Sequence, residues 1–210
     1  MNFRKVLLFF TVVSCSLALQ AAETEVSTEY KGGEFVTTVN LPVYASDEKI
    51  HFVLDKFISE YNDDLAGLFK WALTGLKIHG EPDDFIMFDL KSHIFDKQSK
   101  VIDGIMDINV AFLQRDYADV AYKTTLKKEK RSDYDIFVQY EMLECEKVIS
   151  HVDAEFRINR IDESYVECIF FVKVKLQRPF NLMTKKQYRE NIEWRFAKFM
   201  ENIKREAEQK

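Results

Sequence analysis

Few side chains of this chain are equipped for reaction chemistry, and their spacing argues little for it. The four histidines, His51, His79, His93 and His151, stand far apart. None has a second histidine, cysteine or carboxylate at the separation that closes a metal site, so no metal ligand set is assigned. Asp103, Asp107 and Asn109 share one side of a strand-like stretch, with Asp89 on the stretch before it. Grouped carboxylates can hold calcium or share a proton. These alternate with Met106 and Ile108, which puts them on a solvated face where water levels the pKa differences such chemistry needs. Lys91 is at hand to balance their charge. A third set is hydroxylic: Ser92, Tyr122, Thr124, Tyr140 and Ser150 fall on the apolar side of their stretches. G-x-S-x-G, P-loop, G-x-G-x-x-G and H-E-x-x-H patterns are absent, so no residue is singled out as catalytic and no cofactor is implied.

The elements that must position these groups follow from hydrophobic period. A strand runs over Glu34 to Leu41, preceded by the Lys31-Gly32-Gly33 turn signal and an edge strand at Val26 to Tyr30. Ser46 caps a helix with Asp47 and Glu48 in its first turn, and Ile50, Val53, Leu54, Phe57, Ile58 and Tyr61 form its apolar stripe. A second helix buries Leu65, Leu68, Phe69, Ala72 and Leu73 and stops at Gly75. From residue 84 the period becomes two. Ile86, Phe88, Leu90 and Ile94 face one way, with Met87, Asp89, Lys91 and His93 opposite. Ile102, Gly104, Met106, Ile108, Val110 and Phe112 follow, then a strand near Tyr117 to Leu126 and a solvated tip at Lys127 to Asp133. Three more strands lie near residues 135–143, 147–160 and 164–177. In the last pair, Arg160 opposite Ser164 sets Phe156 against Cys168 and Ala154 against Phe170, with every apolar residue on one face. Thr184 to Gln187 is a capping box opening a long helix striped by Tyr188, Ile192, Phe196, Phe199 and Ile203. At 100° per residue Trp194 falls opposite that stripe.

The 210 residues, 47% apolar and 31% charged, suit one domain with an ordinary core. A net charge of −5 argues against nucleic acid as a partner. Arg4 and Lys5, the apolar run Val6 to Leu19, and Ala21-Ala22 before Glu23 read as a signal peptide over residues 1–21, with the domain over 22–210. The run is too short to span a bilayer, which takes about 20 residues. Val12-Val13-Ser14-Cys15 also resembles a bacterial lipobox, which leaves a lipid anchor at Cys15 as the alternative to soluble export into the periplasm or the medium. Cys145 and Cys168 then remain, and both are expected as free thiols.

A strand, two short helices, six antiparallel strands and a long terminal helix make an α+β fold: a curved sheet of about seven strands gripped by the C-terminal helix. That order over residues 34–205 resembles the START-like superfamily, also called helix-grip or polyketide-cyclase-like. The resemblance implies a cavity between sheet and terminal helix holding an apolar small molecule or lipid. Phe88, Leu90, Met106, Tyr122, Phe156, Phe170, Tyr188 and Phe196 are the candidate lining residues. A second reading is an envelope interaction protein with a filled core, with Trp194 at its surface. A third, a cyclase- or hydratase-type enzyme, needs a buried ionisable group, and the inward face as read here holds no Asp, Glu, Lys or His. N-terminal sequencing of the mature protein should begin near Ala22 or Glu23; a start at lipidated Cys15 would replace soluble export by anchoring.

Overall fold

Glycine decides where the first hairpin turns. Gly32 and Gly33 adopt φ of 63° and 86°, which a Cβ disfavours, and they join β1 (Glu25–Lys31) to β2 (Glu34–Val43). The computed structural model describes residues 24–64, 86–110 and 113–209, with the side chains of 86–88, 190 and 191 outside that description. The signal-peptide residues, the helix expected over 65–73, His79 and Phe112 therefore lie outside the described residues. After β2 comes α1 (Asp47–Asp63), then β3 (Ile86–Asp96), β4 (Val101–Val110), β5 (Arg115–Arg131), β6 (Tyr134–Cys145), β7 (Ile149–Arg160) and β8 (Val166–Leu176). A 3₁₀ turn at Phe180–Leu182 leads to α2 (Lys185–Tyr188), a π-helical turn at Arg189–Glu193 and α3 (Trp194–Glu208), which run on as one terminal helix.

All eight described strands form one antiparallel sheet in the order β1-β2-β8-β7-β6-β5-β4-β3. The edge strand expected at Val26 to Tyr30 supplies the eighth. One face carries the apolar alternation and is covered by α1 and the terminal helix. Ile50, Val53, Leu54 and Tyr61 are the buried stripe of α1. Phe170 of β8 packs on Phe196 and Phe199 of α3, at ring-centroid distances of 5.5 and 5.7 Å, and Phe57 of α1 meets Phe199 at 5.4 Å. Tyr188 stacks on Phe35 at 4.0 Å. Thr184 and Gln187 form the expected capping box.

The structure corrects the sequence reading at five places. The β7–β8 loop spans residues 161–165, closed by the Ile161 and Asp162 amides donating to the Tyr165 carbonyl. Arg160 therefore pairs with Val166, Phe156 with Phe170 and Ala154 with Val172. A slip of two residues preserves the face, so only the partners change. β5 continues through the Lys127–Arg131 stretch expected as a tip, because Lys127 pairs with Gln139 and Glu129 with Phe137. Trp194 is half-buried rather than opposite the buried stripe. The π-helical turn before it adds a residue and rotates the following helix, carrying Glu193 into the interior.

The fourth correction lies in β3. Its pairing with β4 shifts between Leu90 and Ser92, a β-bulge at Lys91. Beyond the bulge the faces exchange: Ser92 and Ile94 turn outward, and His93 and Phe95 turn inward opposite Gly104 and Ile102. Ile94 is accordingly 68% exposed. A similar shift between Ile149 and His151 leaves Ser150 exposed and off the inner face. Phe170→Ala should cost about 3–5 kcal/mol, as deletion of a buried aromatic does. Phe171→Ala, on the outer face against Arg157 and Lys173, should cost clearly less; chemical denaturation of both variants gives the order.

Candidate functional site

The inner face divides into two regions. Under the terminal helix, Phe156, Phe170, Tyr188 and Phe196 of the candidate set join Phe35, Phe57 and Phe199 in a packed aromatic core. Tyr188 is fully buried, and its hydroxyl lies 3.3 Å from that of Thr37, which lies 2.9 Å from that of Thr28. Leu90, Met106 and Tyr122 belong to the other region, on β3 to β5, where the last turn of α1 crosses the sheet. The Phe88 side chain lies outside the described residues, though its backbone pairs with Ile108 in the same region.

This second region gathers a polar set of its own. Pairing sets His93, Gly104, Tyr122 and Cys145 in one row across β3, β4, β5 and β6. Gly104 is the gap in that row. A Cβ there would sit 2.3 Å from Cζ of Tyr122, so the missing side chain lets the ring lie across β4. The Tyr122 hydroxyl thereby reaches Nδ1 of His93 at 3.4 Å. The other imidazole nitrogen, Nε2, is 3.2 Å from the Asn62 carbonyl in the last turn of α1. A carbonyl only accepts, so Nε2 carries a hydrogen, and in the neutral form of the ring Nδ1 is the acceptor left for Tyr122.

One row further along, Tyr61 of α1 hydrogen-bonds Thr124 through their hydroxyls and meets the Tyr140 ring edge-on at 5.8 Å. Burial pushes the phenol of Tyr122 up to about 12. Tyr61 and Tyr140 are raised by burial as well, Tyr61 despite its bond to Thr124. All three phenols therefore stay protonated at neutral pH and act as neutral donors and acceptors. Cys145 closes the row, its thiol raised by burial and donating to the Lys147 carbonyl at 3.0 Å. Cys168, buried under the terminal helix, is pushed up to about 12; both cysteines are free thiols. Around these groups Leu90, Phe95 and Leu126 are partly buried, as are Phe57, Phe196 and Phe199 at the terminal helix.

Of the expected inward hydroxyls, Tyr122, Thr124 and Tyr140 converge here, while Ser92 and Ser150 do not. The sequence reading missed His93, because strict alternation through Lys91 sends it to solvent. It also missed Glu193, whose carboxylate is buried and takes a hydrogen bond from Arg189 at 3.0 Å. An isolated glycine inside a strand, Gly104, was the available signal of a close approach at this row. An open groove of about 560 Å³ runs along the same rows, lined by the exposed Ile94, Ile105, Ala121 and Glu144 and also by Gly104, Tyr122 and Cys145. The carboxylates Asp107 and Asp119 lie outward on Lys91 at 2.8 and 2.9 Å. That contact and the Asp119 amide hold the Asp107 carboxyl below its ordinary range. His51 pairs with Asp47 on the exposed side of α1. Among the described residues no cluster of histidine, cysteine and carboxylate could hold a metal ion, and no helix is long and apolar enough to cross a membrane.

No protein-family model matches the chain, and no curated protein matches it in sequence. Solved structures do resemble it. The Zhui aromatase/cyclase from Streptomyces sp. R1128 superposes with a TM-score of 0.50 at 10% identity, over 83% of this chain and 94% of that one. A START superfamily protein from Mycobacterium smegmatis gives 0.48 at 9% identity, over 83% and 97%. Norcoclaurine synthase from Thalictrum flavum, solved with dopamine and hydroxybenzaldehyde, gives 0.42 at 12% identity, over 86% of each chain. At such identities the likeness speaks to architecture alone. An open antiparallel sheet, helices on one face and a long terminal helix gripping it are that architecture, and the chain has the START-like helix-grip fold.

Proposed function

We propose that the protein binds an apolar small molecule or lipid on the β3–β6 half of its inner face, and that it does so after export from the cytoplasm. One observation carries the reading. Leu90, Phe95, Leu126 and Tyr140 form an apolar lining around a few polar groups that contact one another across elements, the hydroxyls of Tyr122 and Thr124 and the imidazole of His93. A mostly apolar lining with a few fixed polar contacts is what small-molecule sites present. Under the terminal helix, Phe170 packs on Phe196 and Phe199 and ties that helix to the sheet. Export rests on the N-terminal charge and apolar pattern. Cleavage there frees the domain, whereas lipidation at Cys15 would hold it at a membrane surface.

A cyclase- or hydratase-type enzyme is the second reading, and His93 favours it. The inner face does hold an ionisable side chain, bonded to a phenol, which is the minimum for proton transfer to a bound molecule. Native mass spectrometry of the mature protein from its own host tests the binding reading. A small molecule should accompany the protein and be released by organic extraction. Leu90→Asp, on the inner face, should lower the loaded fraction, while Ile94→Asp, outward on the same strand, should not. Recovery of a protein partner with no small molecule would support the surface-interaction reading instead.

A further inference from the structure

The row that places His93 beside Tyr122 also fixes which way their hydrogen bond runs. Nε2–H is committed to the Asn62 carbonyl. In the neutral ring Nδ1 has only a lone pair, so the Tyr122 hydroxyl must donate to it. The phenol oxygen then has lone pairs alone to offer a neighbour. Protonating the ring reverses the bond: Nδ1–H donates to the Tyr122 oxygen, and the phenol hydrogen is released to donate elsewhere. The proton comes from solvent, and no covalent bond to carbon changes.

We infer that His93, acting through Tyr122, sets which polar group a bound small molecule can present: the neutral imidazole admits a hydroxyl and disfavours a carbonyl, and the imidazolium admits both. The inference rests on the inner-face binding reading above. A hydroxyl can donate or accept and so fits either state. A ketone only accepts, and it is left facing lone pairs until His93 is charged. His93 is thus a positioning residue, and Tyr122 the group that touches the ligand. Among the described residues, the His93 row across the sheet holds Gly104 on β4, Tyr122 on β5 and Cys145 on β6, and the last turn of α1 meets His93 through the Asn62 carbonyl, with Tyr61, Asp63 and Asp64 adjacent to Asn62 in the chain. The phenols and the thiol are all raised by burial and keep their protons. Lys91, its neighbour on β3, is held on the outer side by Asp107 and Asp119.

The test is a matched pair of probes, 2-naphthol and 2-acetylnaphthalene, titrated against the full mature protein between about pH 8 and pH 5, the span in which histidine side chains change charge. Affinity for the ketone relative to the naphthol should rise on acidification by about five- to tenfold, the worth of one hydrogen bond. In Tyr122→Phe the ratio should be flat. A flat ratio in the unmodified protein, or an equal rise in Tyr122→Phe, overturns the inference and leaves the binding reading standing. Failure of both probes to bind at any pH overturns the binding reading and the inference with it. Should Tyr122→Phe not fold, nitrogen-15 NMR of histidine-labelled unmodified protein decides. It should show His93 with its proton on Nε2 at high pH; a proton on Nδ1 would overturn the inference.

Discussion

A sheet of this length has one apolar face to hide and only a few helices to hide it with. Alternate residues of every strand point to that face, so each strand is committed to a register that keeps its apolar set inward. The contact that meets this demand is aromatic. Phe170 stands at the meeting of sheet and terminal helix with Phe196 and Phe199 on it, and Phe57 ties α1 to the same group. Tyr188 on Phe35 repeats the arrangement near the sheet edge. Rings bury large areas with few rotatable bonds, so a handful of them can pin a helix across strands far apart in sequence.

The half under the terminal helix keeps a short chain of hydroxyls, Thr28, Thr37 and Tyr188, and the other half carries a second polar set. Tyr61, Asn62, His93, Tyr122 and Thr124 come from α1, β3 and β5, and each polar contact among them crosses between elements. A buried polar group must be paired or it destabilises, and these are paired with one another. The result is a small polar island in an apolar lining, held by the last turn of a helix and by a strand that gives up a side chain at Gly104.

How much of this could be read beforehand depends on whether a single period governs the segment. β7 and β8 keep strict alternation, so Phe156, Cys168 and Phe170 were legible as inward from the residues alone, even though the loop shifted their partners by two. The stripe of α1 and the capping box at Thr184 were legible for the same reason. The misreadings fall where a period is interrupted. The bulge at Lys91 re-aims His93, and the π-helical turn at Arg189–Glu193 re-aims Trp194 and Glu193. Neither interruption is marked by proline or glycine within its own segment, and each is set by pairing with another element. The site therefore showed itself in its hydroxyls and hid its one imidazole.

The bulge at Lys91 has a second consequence, for the protein's behaviour in a crowded solution. β3 ends the described sheet, with β4 as its partner on one side. An edge of this kind offers unpaired amides and carbonyls to any extended chain that drifts past, and long regular edges invite aggregation. The extra residue interrupts the spacing of those groups midway along the strand, and it is itself a lysine held by two aspartates. The opposite edge, β1, is short and carries Glu25, Glu29 and Lys31. The irregularity that brings an imidazole into the interior thus also spoils the template a foreign strand would need, so restoring regular alternation by deleting Lys91 would remove the polar island and leave a stickier molecule.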